Sequence, residues 1–457
     1  MTADVPTTEE VLDHLAVYAR ARRVAPAAVV AEALLRAVAA VEPTVRLPAL
    51  IGGQVSLNLF AALVGRSGEG KGSASACAAE ALEFVDFNGL PIITESFPVG
   101  SGEGVARTYQ LPGANPDDPW DRSRAIFTAP EVDSLTALSG RQGSTLLPEL
   151  RKVYTGESIG FANGGKATRL VLPAHSYRAC VSVGVQPERA GTLLRDADGG
   201  TPQRFVWASV VDSDAPEERP KCPKPLAVRL ARWGSNVTEL SVPDEARVAI
   251  DAQRLAVLRG DPEVNPLDGH AMLTRLKIAA ALMILGGRTV VDADDWALAG
   301  RVMLRSQRTR ERVERVLGER RQKMNRAKAH ETADHNEVVA DSRLQRAASA
   351  ITRKLERERE PMQPSDLRRA LRSDLRGEFG AAVDLLTEQG QIVRVGNCFS
   401  LASTVTGHGG SGAEREGVDT STPGSTPNTA GQPGWTGVDG VDTTNTTQEE
   451  TNDTTVQ

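Results

Sequence analysis

The chain has 457 residues, more than one hydrophobic core usually serves, so its length predicts two or three folded units. A composition of 40% hydrophobic and 25% charged residues is ordinary for globular proteins and excludes a fibrous or wholly disordered chain. The formal net charge of -6 at pH 7 excludes a global basic field. Any surface for nucleic acid must therefore come from local clusters of Lys and Arg.

The cysteines and the amino-terminal residues indicate a cytoplasmic protein. Cys77, Cys180, Cys222 and Cys398 lie far apart and form no C-x-x-C pair, which argues against a zinc ribbon or a disulfide framework. The amino-terminal residues are acidic where a signal peptide needs a basic region, and no run of about 18 apolar residues follows. We therefore expect neither export nor a membrane span.

The first half of the chain predicts an α/β fold. Residues 1–45 predict a helical segment, because Val11, Leu15 and Tyr18 recur on one face at helical spacing. Residues 46–213 alternate apolar, strand-prone runs with longer mixed segments, and five runs stand out: 56–65, 91–97, 124–129, 178–185 and 204–211. Such a pattern predicts a mainly parallel sheet with helical crossovers.

The second half predicts helices and a separate small domain. After a Pro-rich surface loop at 212–225, residues 214–330 predict a helical extension that ends in a long basic helix. Residues 341–403 predict three helices and a hairpin, which is the order of a winged-helix domain. Its second helix is basic and its third is acidic. A DNA-binding role and a protein-binding role for this domain are therefore both retained as alternatives. Residues 404–457 have too few apolar side chains for a core and predict a disordered tail.

A phosphate-binding loop is predicted directly after the first strand of the α/β segment. The loop precedes an Ala-rich helix, and this order of strand, loop and helix is the context of a Walker A motif. Its residues are Gly65, Arg66, Ser67, Gly68, Glu69, Gly70, Lys71, Gly72 and Ser73. Glycines let backbone N–H groups face phosphate oxygens, and Lys71 can reach the β and γ phosphates of ATP. A Gly-rich turn with an incidental lysine is the alternative.

The loop departs from the usual motif at the position that holds the metal ion. A Ser or Thr normally follows the lysine and binds Mg²⁺, but this chain has Gly72 there. Ser73 is the candidate replacement. The G-K-G-S ending also resembles the G-K-G-T of adenylate kinases, so a nucleoside phosphate kinase stays an alternative.

Polar residues at strand ends supply the other candidate site residues. Glu131 and Asp133 follow the third run, where Glu131 is the predicted catalytic base and Asp133 a helper and Mg²⁺ ligand. Gln186 follows the fourth run as a predicted sensor of the γ phosphate or the attacking water. Arg204 opens the fifth run as a predicted arginine finger. A helix cap at Asp133, a simple turn at Gln186 and a solvated Arg204 are the alternatives.

The motifs resemble, in this order, the helicase-type P-loop ATPases of actinobacterial phages, plasmids and integrated elements, the family called DUF3987. The matching segments are SLNLFAALVGRSGEGKG, PEVDSLTAL, GSTLLPELRKVYTGESIG, HSYRACVSVGVQP and GGTPQRFVW. The resemblance implies a RecA-like or AAA+ core, ATP hydrolysis with Mg²⁺, assembly into a homo-oligomeric ring and a role in replicating a mobile element's DNA. It carries over Lys71, Glu131, Gln186 and Arg204 as site residues, and Gly72 leaves the metal ligand open.

Three functional hypotheses follow from the sequence. The first is an ATP-driven DNA motor, since Lys and Arg outnumber Glu in residues 301–328 and such a stretch can neutralise phosphates. A solvated or subunit-facing helix is the alternative for that stretch. The second hypothesis is the nucleoside phosphate kinase, and the third is a DNA-binding regulator controlled by ATP. The carboxyl-terminal tail is a candidate contact for a replication-protein partner.

Overall fold

The structure, a computed structural model, describes most of the chain as two compact units, Met1–Asp334 and His335–Gln457. The described residues are 6–110, 122–140, 142, 144–161, 170–196, 199–234, 236–265 and 267–405. The predicted disordered tail therefore lies outside the described residues from position 406 onward. None of the described helices combines the length and the apolar character needed to cross a lipid bilayer.

Helices and strands alternate along most of the first unit. The helices are α1 (Thr8–Ala21), α2 (Pro26–Ala39), α3 (Lys71–Ala81), α4 (Gly102–Arg107), α5 (Val132–Ser139), α6 (Leu146–Thr155), α7 (Gly191–Arg195), α8 (Asp244–Leu258), α9 (Asp268–Leu285), α10 (Ala293–Glu358), α11 (Pro364–Ala370), α12 (Phe379–Glu388) and α13 (Ala402–Val405). The strands are β1 (Val45–Leu47), β2 (Val55–Ser56), β3 (Phe60–Val64), β4 (Leu82–Val85), β5 (Ser96–Pro98), β6 (Arg124–Ala129), β7 (Ile159–Phe161), β8 (Leu170–Leu172), β9 (Arg178–Val185), β10 (Phe205–Ser209), β11 (Leu226–Arg229), β12 (Thr238–Glu239), β13 (Ile392–Val395) and β14 (Cys398–Leu401).

A five-stranded, all-parallel sheet lies at the centre of the first unit, in the order β10-β3-β9-β6-β5. In its register Phe60 is opposite both Phe205 and Val181, and Val181 is opposite Phe127. Every residue of β9 is buried, as expected for an inner strand with helices on both faces. Four of the five strands fall within the apolar runs of the sequence, and β5 overlaps the end of the run 91–97. The predicted α/β class with a parallel sheet is therefore confirmed.

Helices cover both faces of this sheet. Ala61 and Leu63 of β3 face a core shared with α1, α2, α3 and α9. Phe60 and Ala62 face the opposite core, which includes residues of α5, α6 and α7. The alternation follows from the two-residue period of a strand. The helix that follows β3 thus lies on one face, whereas the helices that follow β6 and β9 lie on the other.

Two predicted segments differ from the structure, and the loop between them agrees with it. Residues 1–45 are part of the central core, because α1 and α2 pack against α3, α9 and the sheet. Residues 212–225 contain neither helix nor strand, as predicted for a loop, and they lead into β11, which pairs in parallel with β4. The basic helix predicted to end near residue 329 continues as α10 to Glu358. Residues 330–340 contain neither Gly nor Pro, so nothing in the sequence stops the helix there.

The second unit has a small core of its own. The carboxyl-terminal part of α10 packs with α11, α12 and the strands β13 and β14 around Ile351, Leu367, Leu386 and Ile392. β13 and β14 form an antiparallel hairpin, whose turn includes Gly396 at a φ of 61°. Three helical segments and a hairpin therefore occur in the order that the sequence predicts.

A fully buried arginine fixes the amino-terminal helices to the sheet. Arg178, at the first position of β9, has an exposed fraction of 0%. Its Nε donates to the carbonyl oxygen of Val41 at 3.2 Å, and its Nη2 donates to those of Glu42 and Val45 at 2.7 Å and 2.8 Å. Burial lowers the pKa of the Arg178 guanidinium to about 10. One side chain thus provides donors for three carbonyl groups in the connection from α2 to β1.

Replacing Arg178 with Met should lower the free energy of unfolding by about 3 kcal/mol, since three carbonyl groups lose their donor at about 1 kcal/mol each. Urea unfolding followed by tryptophan fluorescence measures this change. Arg229→Met on β11 is the matched control, because Arg229 is exposed and its loss should change stability by about 0.5 kcal/mol or less. Equal destabilisation by the two variants would contradict the assigned role of Arg178.

Candidate functional site

Residues 65–70 turn tightly between β3 and α3, and residues 71–73 begin α3. Together they form the loop at 65–73, which lies at the carboxyl edge of the parallel sheet. Gly68 and Gly70 have φ values of 83° and 86°, in the left-handed region that glycine tolerates without strain. This turn lets α3 begin at Lys71, and no described side chain caps its first turn by a hydrogen bond. Unpaired N–H groups at the start of a helix carry partial positive charge and attract anions. The loop is therefore suited to bind phosphate.

The side chain of Lys71 folds back across this loop. Its Nζ donates to the carbonyl oxygens of Gly65 at 3.0 Å and Arg66 at 2.8 Å. A phosphate oxygen carries a negative charge that a carbonyl oxygen lacks, so it attracts the ammonium group more strongly. A polyphosphate can therefore compete with these neutral carbonyls for the ammonium group.

Close packing around β9 brings Lys71 next to the end of β6. Gly184 on β9 has no side chain, and a Cβ added there would lie 2.0 Å from the carbonyl oxygen of Pro130 and 3.4 Å from Cδ of Lys71. Any larger residue would push these groups apart. Gly184 thus allows the loop and the end of β6 to meet above the same strand.

Two polar side chains follow the neighbouring strands at this edge. Gln186 follows β9, and Glu131 follows β6 and precedes α5. Because β9 lies between β3 and β6, the loop and Glu131 are two strand spacings apart, about 10 Å. Gln186, at the end of β9, lies between them. Nε2 of Gln186 donates to Oε1 of Glu131 at 3.4 Å, a long hydrogen bond. The structure therefore brings Lys71, Gln186 and Glu131 to one edge of the sheet.

The winding of the chain places a crevice at the same edge. The helix that leaves β3 covers one face of the sheet, and the helix that leaves β9 covers the other. In open α/β sheets, ligands bind outside the carboxyl ends of the strands where the connections diverge in this way. The loop at 65–73 and Gln186 border that position.

Asp133 has a different partner from Glu131. Its carboxylate forms an ion pair with the guanidinium of Arg189, which lies in the short turn after Gln186. The hydrogen bond that Arg189 donates to Asp133, together with the negative charge of that carboxylate, raises the pKa of Arg189. Asp133 is thus neutralised, and Glu131 is the freer of the two predicted carboxylates. Sequence reasoning missed Arg189, because its pairing with Asp133 depends on β6 and β9 being neighbours, which no local signal shows.

The predicted metal ligand Ser73 is exposed in the first turn of α3. Within the described ranges, no three His, Cys, Asp or Glu side chains cluster as a metal site. Mg²⁺ at phosphate sites usually takes one or two protein oxygens and completes its shell with water and substrate phosphates. The Ser73 hydroxyl fits such a role, whereas Asp133 would first have to leave Arg189.

Arg204 lies away from the other predicted site residues. It precedes β10, so it is at the amino edge of the sheet, roughly 16 Å from the loop by the length of a five-residue strand. It is 8% exposed, its Nη1 donates to the carbonyl oxygen of Gly199 at 2.6 Å, and burial lowers its pKa. An arginine finger supplied by a neighbouring subunit must be accessible at the surface. This position does not suit the finger predicted for Arg204, and the predicted ring stays a prediction.

Two glycine variants test the packing of this edge. Gly184→Ala should lower the free energy of unfolding by about 1–3 kcal/mol, because its Cβ overpacks the strand against Pro130. Gly72→Ala should leave stability unchanged or raise it by up to about 1 kcal/mol, since a Cβ there meets no described atom within 4 Å and alanine favours the helix. Urea unfolding compares the two, and an equal loss in both would contradict the packing described for Gly184.

Comparison with known proteins adds no assignment. The chain matches no protein-family model, and a search of the curated proteins found no significant match. The resemblance to the DUF3987 ATPases therefore stays a prediction that rests on its motif residues. The function has to be argued from the loop, the strand order and the side chains at the carboxyl edge.

Proposed function

We propose that the Met1–Asp334 unit is a P-loop ATPase of the RecA-like or AAA+ type, which hydrolyses ATP with Mg²⁺ to drive a helicase-like motor on DNA. One observation carries the proposal: the loop at 65–73 joins a buried parallel strand to a helix start, with the Lys71 ammonium held against its carbonyls. This arrangement offers backbone N–H groups and a cation to a triphosphate.

ATP binding would exchange the partners of Lys71. Its Nζ would release the carbonyl oxygens of Gly65 and Arg66 and donate to the β and γ phosphates. The hydroxyl of Ser73 would supply one ligand to Mg²⁺, with phosphate oxygens and water completing the shell. Since the loop backbone is already turned by Gly68 and Gly70, this binding needs little rearrangement.

Hydrolysis would use the residues at the ends of β6 and β9. A water molecule attacks the γ phosphorus, the bond to the β–γ bridging oxygen breaks, and Glu131 accepts the proton of the water. The amide of Gln186 would orient the water or a γ oxygen, since its long bond to Glu131 is easily exchanged. In phosphoryl transfer, such positioning and charge stabilisation supply most of the rate enhancement.

The Lys71→Ala variant tests the proposal directly. Loss of one charged donor at the phosphates should lower the ATPase rate by about 100-fold or more, both with and without single-stranded DNA. Release of inorganic phosphate measures the rate. Lys224→Ala, which changes an exposed lysine outside the site, is the matched control and should keep the wild-type rate.

Each other result points to a different function. A wild-type rate that DNA does not change would overturn the motor, and nucleotide binding without hydrolysis would favour the ATP-controlled regulator. Transfer of the γ phosphate to an added nucleoside monophosphate would favour the kinase. An undiminished rate in Lys71→Ala would overturn the ATP site itself.

The metal ligand has its own test. Ser73→Ala should raise the Mg²⁺ concentration for half-maximal ATPase activity by about tenfold, within the range typical for loss of a group that supports a metal site. Adding Gly72→Ser to this variant should restore part of the affinity, because Gly72 has room for a side chain and occupies the usual ligand position. Unchanged Mg²⁺ dependence in Ser73→Ala would show that another group holds the ion.

The second unit supports a separate proposal. Its three helical segments and hairpin suit a winged helix, in which the third helix usually reads DNA. Here that helix, α12, exposes Asp384 and Glu388, whose charges oppose phosphates. We therefore place the main DNA contact in the first unit and assign protein contacts, such as a replication partner, to the second.

A further inference from the structure

A groove of about 750 Å³ borders the proposed ATPase site within the first unit. Asp133, Arg189 and Arg195, which follow β6 and β9, line one side of it. Arg321 and Lys328 of α10 line the other. The groove therefore begins at the carboxylate next to the proposed catalytic base.

Positive charge dominates this groove. Its described lining has five basic residues and three acidic ones: Arg189, Arg195, Arg320, Arg321 and Lys328 against Asp133, Glu188 and Glu314. Two of the acids are already paired, Asp133 with Arg189 and Glu314 with Arg310 at 3.5 Å.

The cations on α10 differ in their partners. Arg320 donates to the backbone oxygen of Glu188 at 3.0 Å, which leaves its charge uncompensated. In the part of the chain that the structure describes, the Arg321 and Lys328 side chains form no hydrogen bond or ion pair. Both are exposed and free to bind an anion.

Resting on the ATPase proposed above, we propose that this groove binds the sugar–phosphate backbone of a single-stranded nucleic acid, and that its phosphates draw Arg189 away from Asp133. In this ion pair the Arg189 side chain is 53% exposed and the Asp133 side chain is 38% exposed. Exposed pairs contribute about 0–1 kcal/mol, so a phosphate in the groove can replace the carboxylate. The freed Asp133 then faces the site two residues from Glu131 and can assist the metal ion or the water.

The composition of the groove favours contacts to the backbone. Among its described lining residues none is aromatic, so it lacks the stacking platforms that bind bases. Leu194, Leu317 and Met324 supply its apolar surface. Recognition through phosphates carries no sequence information and depends strongly on salt. The groove therefore suits a motor that moves along any sequence.

Binding of a fluorescein-labelled oligothymidylate, measured by anisotropy over a range of salt concentrations, tests the groove. The double variant Arg321→Ala/Lys328→Ala should bind about tenfold more weakly or worse at roughly 0.1 M salt. The slope of log K against log salt should become less steep by about 1.4, or 0.7 for each lost phosphate contact. Arg312→Ala/Arg315→Ala removes the same charge from exposed positions of α10 outside the groove and should change affinity and slope much less.

Arg189→Ala tests the coupling as distinct from the binding. Removing the guanidinium frees Asp133 without DNA, so the basal ATPase rate should rise and the stimulation by oligothymidylate should fall toward onefold. Arg189→Lys keeps the charge and should keep the stimulation. A merely structural role would lower the basal rate in Arg189→Ala, and that result would overturn the coupling.

The outcomes separate this inference from the ATPase proposal. Equal binding by the groove and control variants, or no binding by the wild type, would overturn the groove even if ATP hydrolysis is intact. Weaker binding by the groove variant alone would support it even if hydrolysis fails. Binding of oligouridylate with a similar salt slope would support recognition of the phosphate backbone, which RNA and DNA share. Tighter binding of polyglutamate than of oligothymidylate would overturn the nucleic-acid assignment in favour of an acidic protein segment.

Discussion

The contact of the Lys71 ammonium with the carbonyl oxygens of Gly65 and Arg66 is the interaction on which the proposed chemistry depends. It holds a cation at the turn, where the buried strand ends and the helix starts. The absence of a side chain at Gly184 lets β9 pass close beneath this cation. The strand order then places an amide and a carboxylate beyond it, so a cation, an amide and a carboxylate share one edge of the sheet.

The two edges of the sheet use positive charge in opposite ways. At the amino edge, Arg178, Arg204 and Lys277 are buried, and each donates to backbone carbonyls; Nζ of Lys277 lies 2.7 Å from the oxygen of Asn58. Burial lowers the pKa of Lys277 well below its usual range. These side chains hold the fold together. At the carboxyl edge Lys71 and Arg189 keep access to solvent, so their charges can be offered to a ligand.

Local signals in the sequence were enough for the sheet and the loop. The apolar runs marked the strands because inner strands such as β3 and β9 are buried on both faces and require continuous apolar residues. The loop at 65–73 was visible because its glycines and lysine are adjacent in the chain. Arg189 and Arg204 could not be placed in this way, since their surroundings depend on which strands are neighbours. The length of α10 was also missed, because the polar residues 330–340 look like a linker although they contain neither Gly nor Pro.

The anchoring of Arg178 has a practical consequence for preparing the first unit by itself. Residues 1–45 look like a detachable arm in the sequence, but all three carbonyl acceptors of this guanidinium, Val41, Glu42 and Val45, lie within them. A shortened chain that starts at residue 46 would leave a buried cation without acceptors and uncover the apolar sheet face beneath α2. Expression boundaries should therefore retain α1 and α2, and an affinity tag belongs ahead of Thr7, whose side chain caps α1.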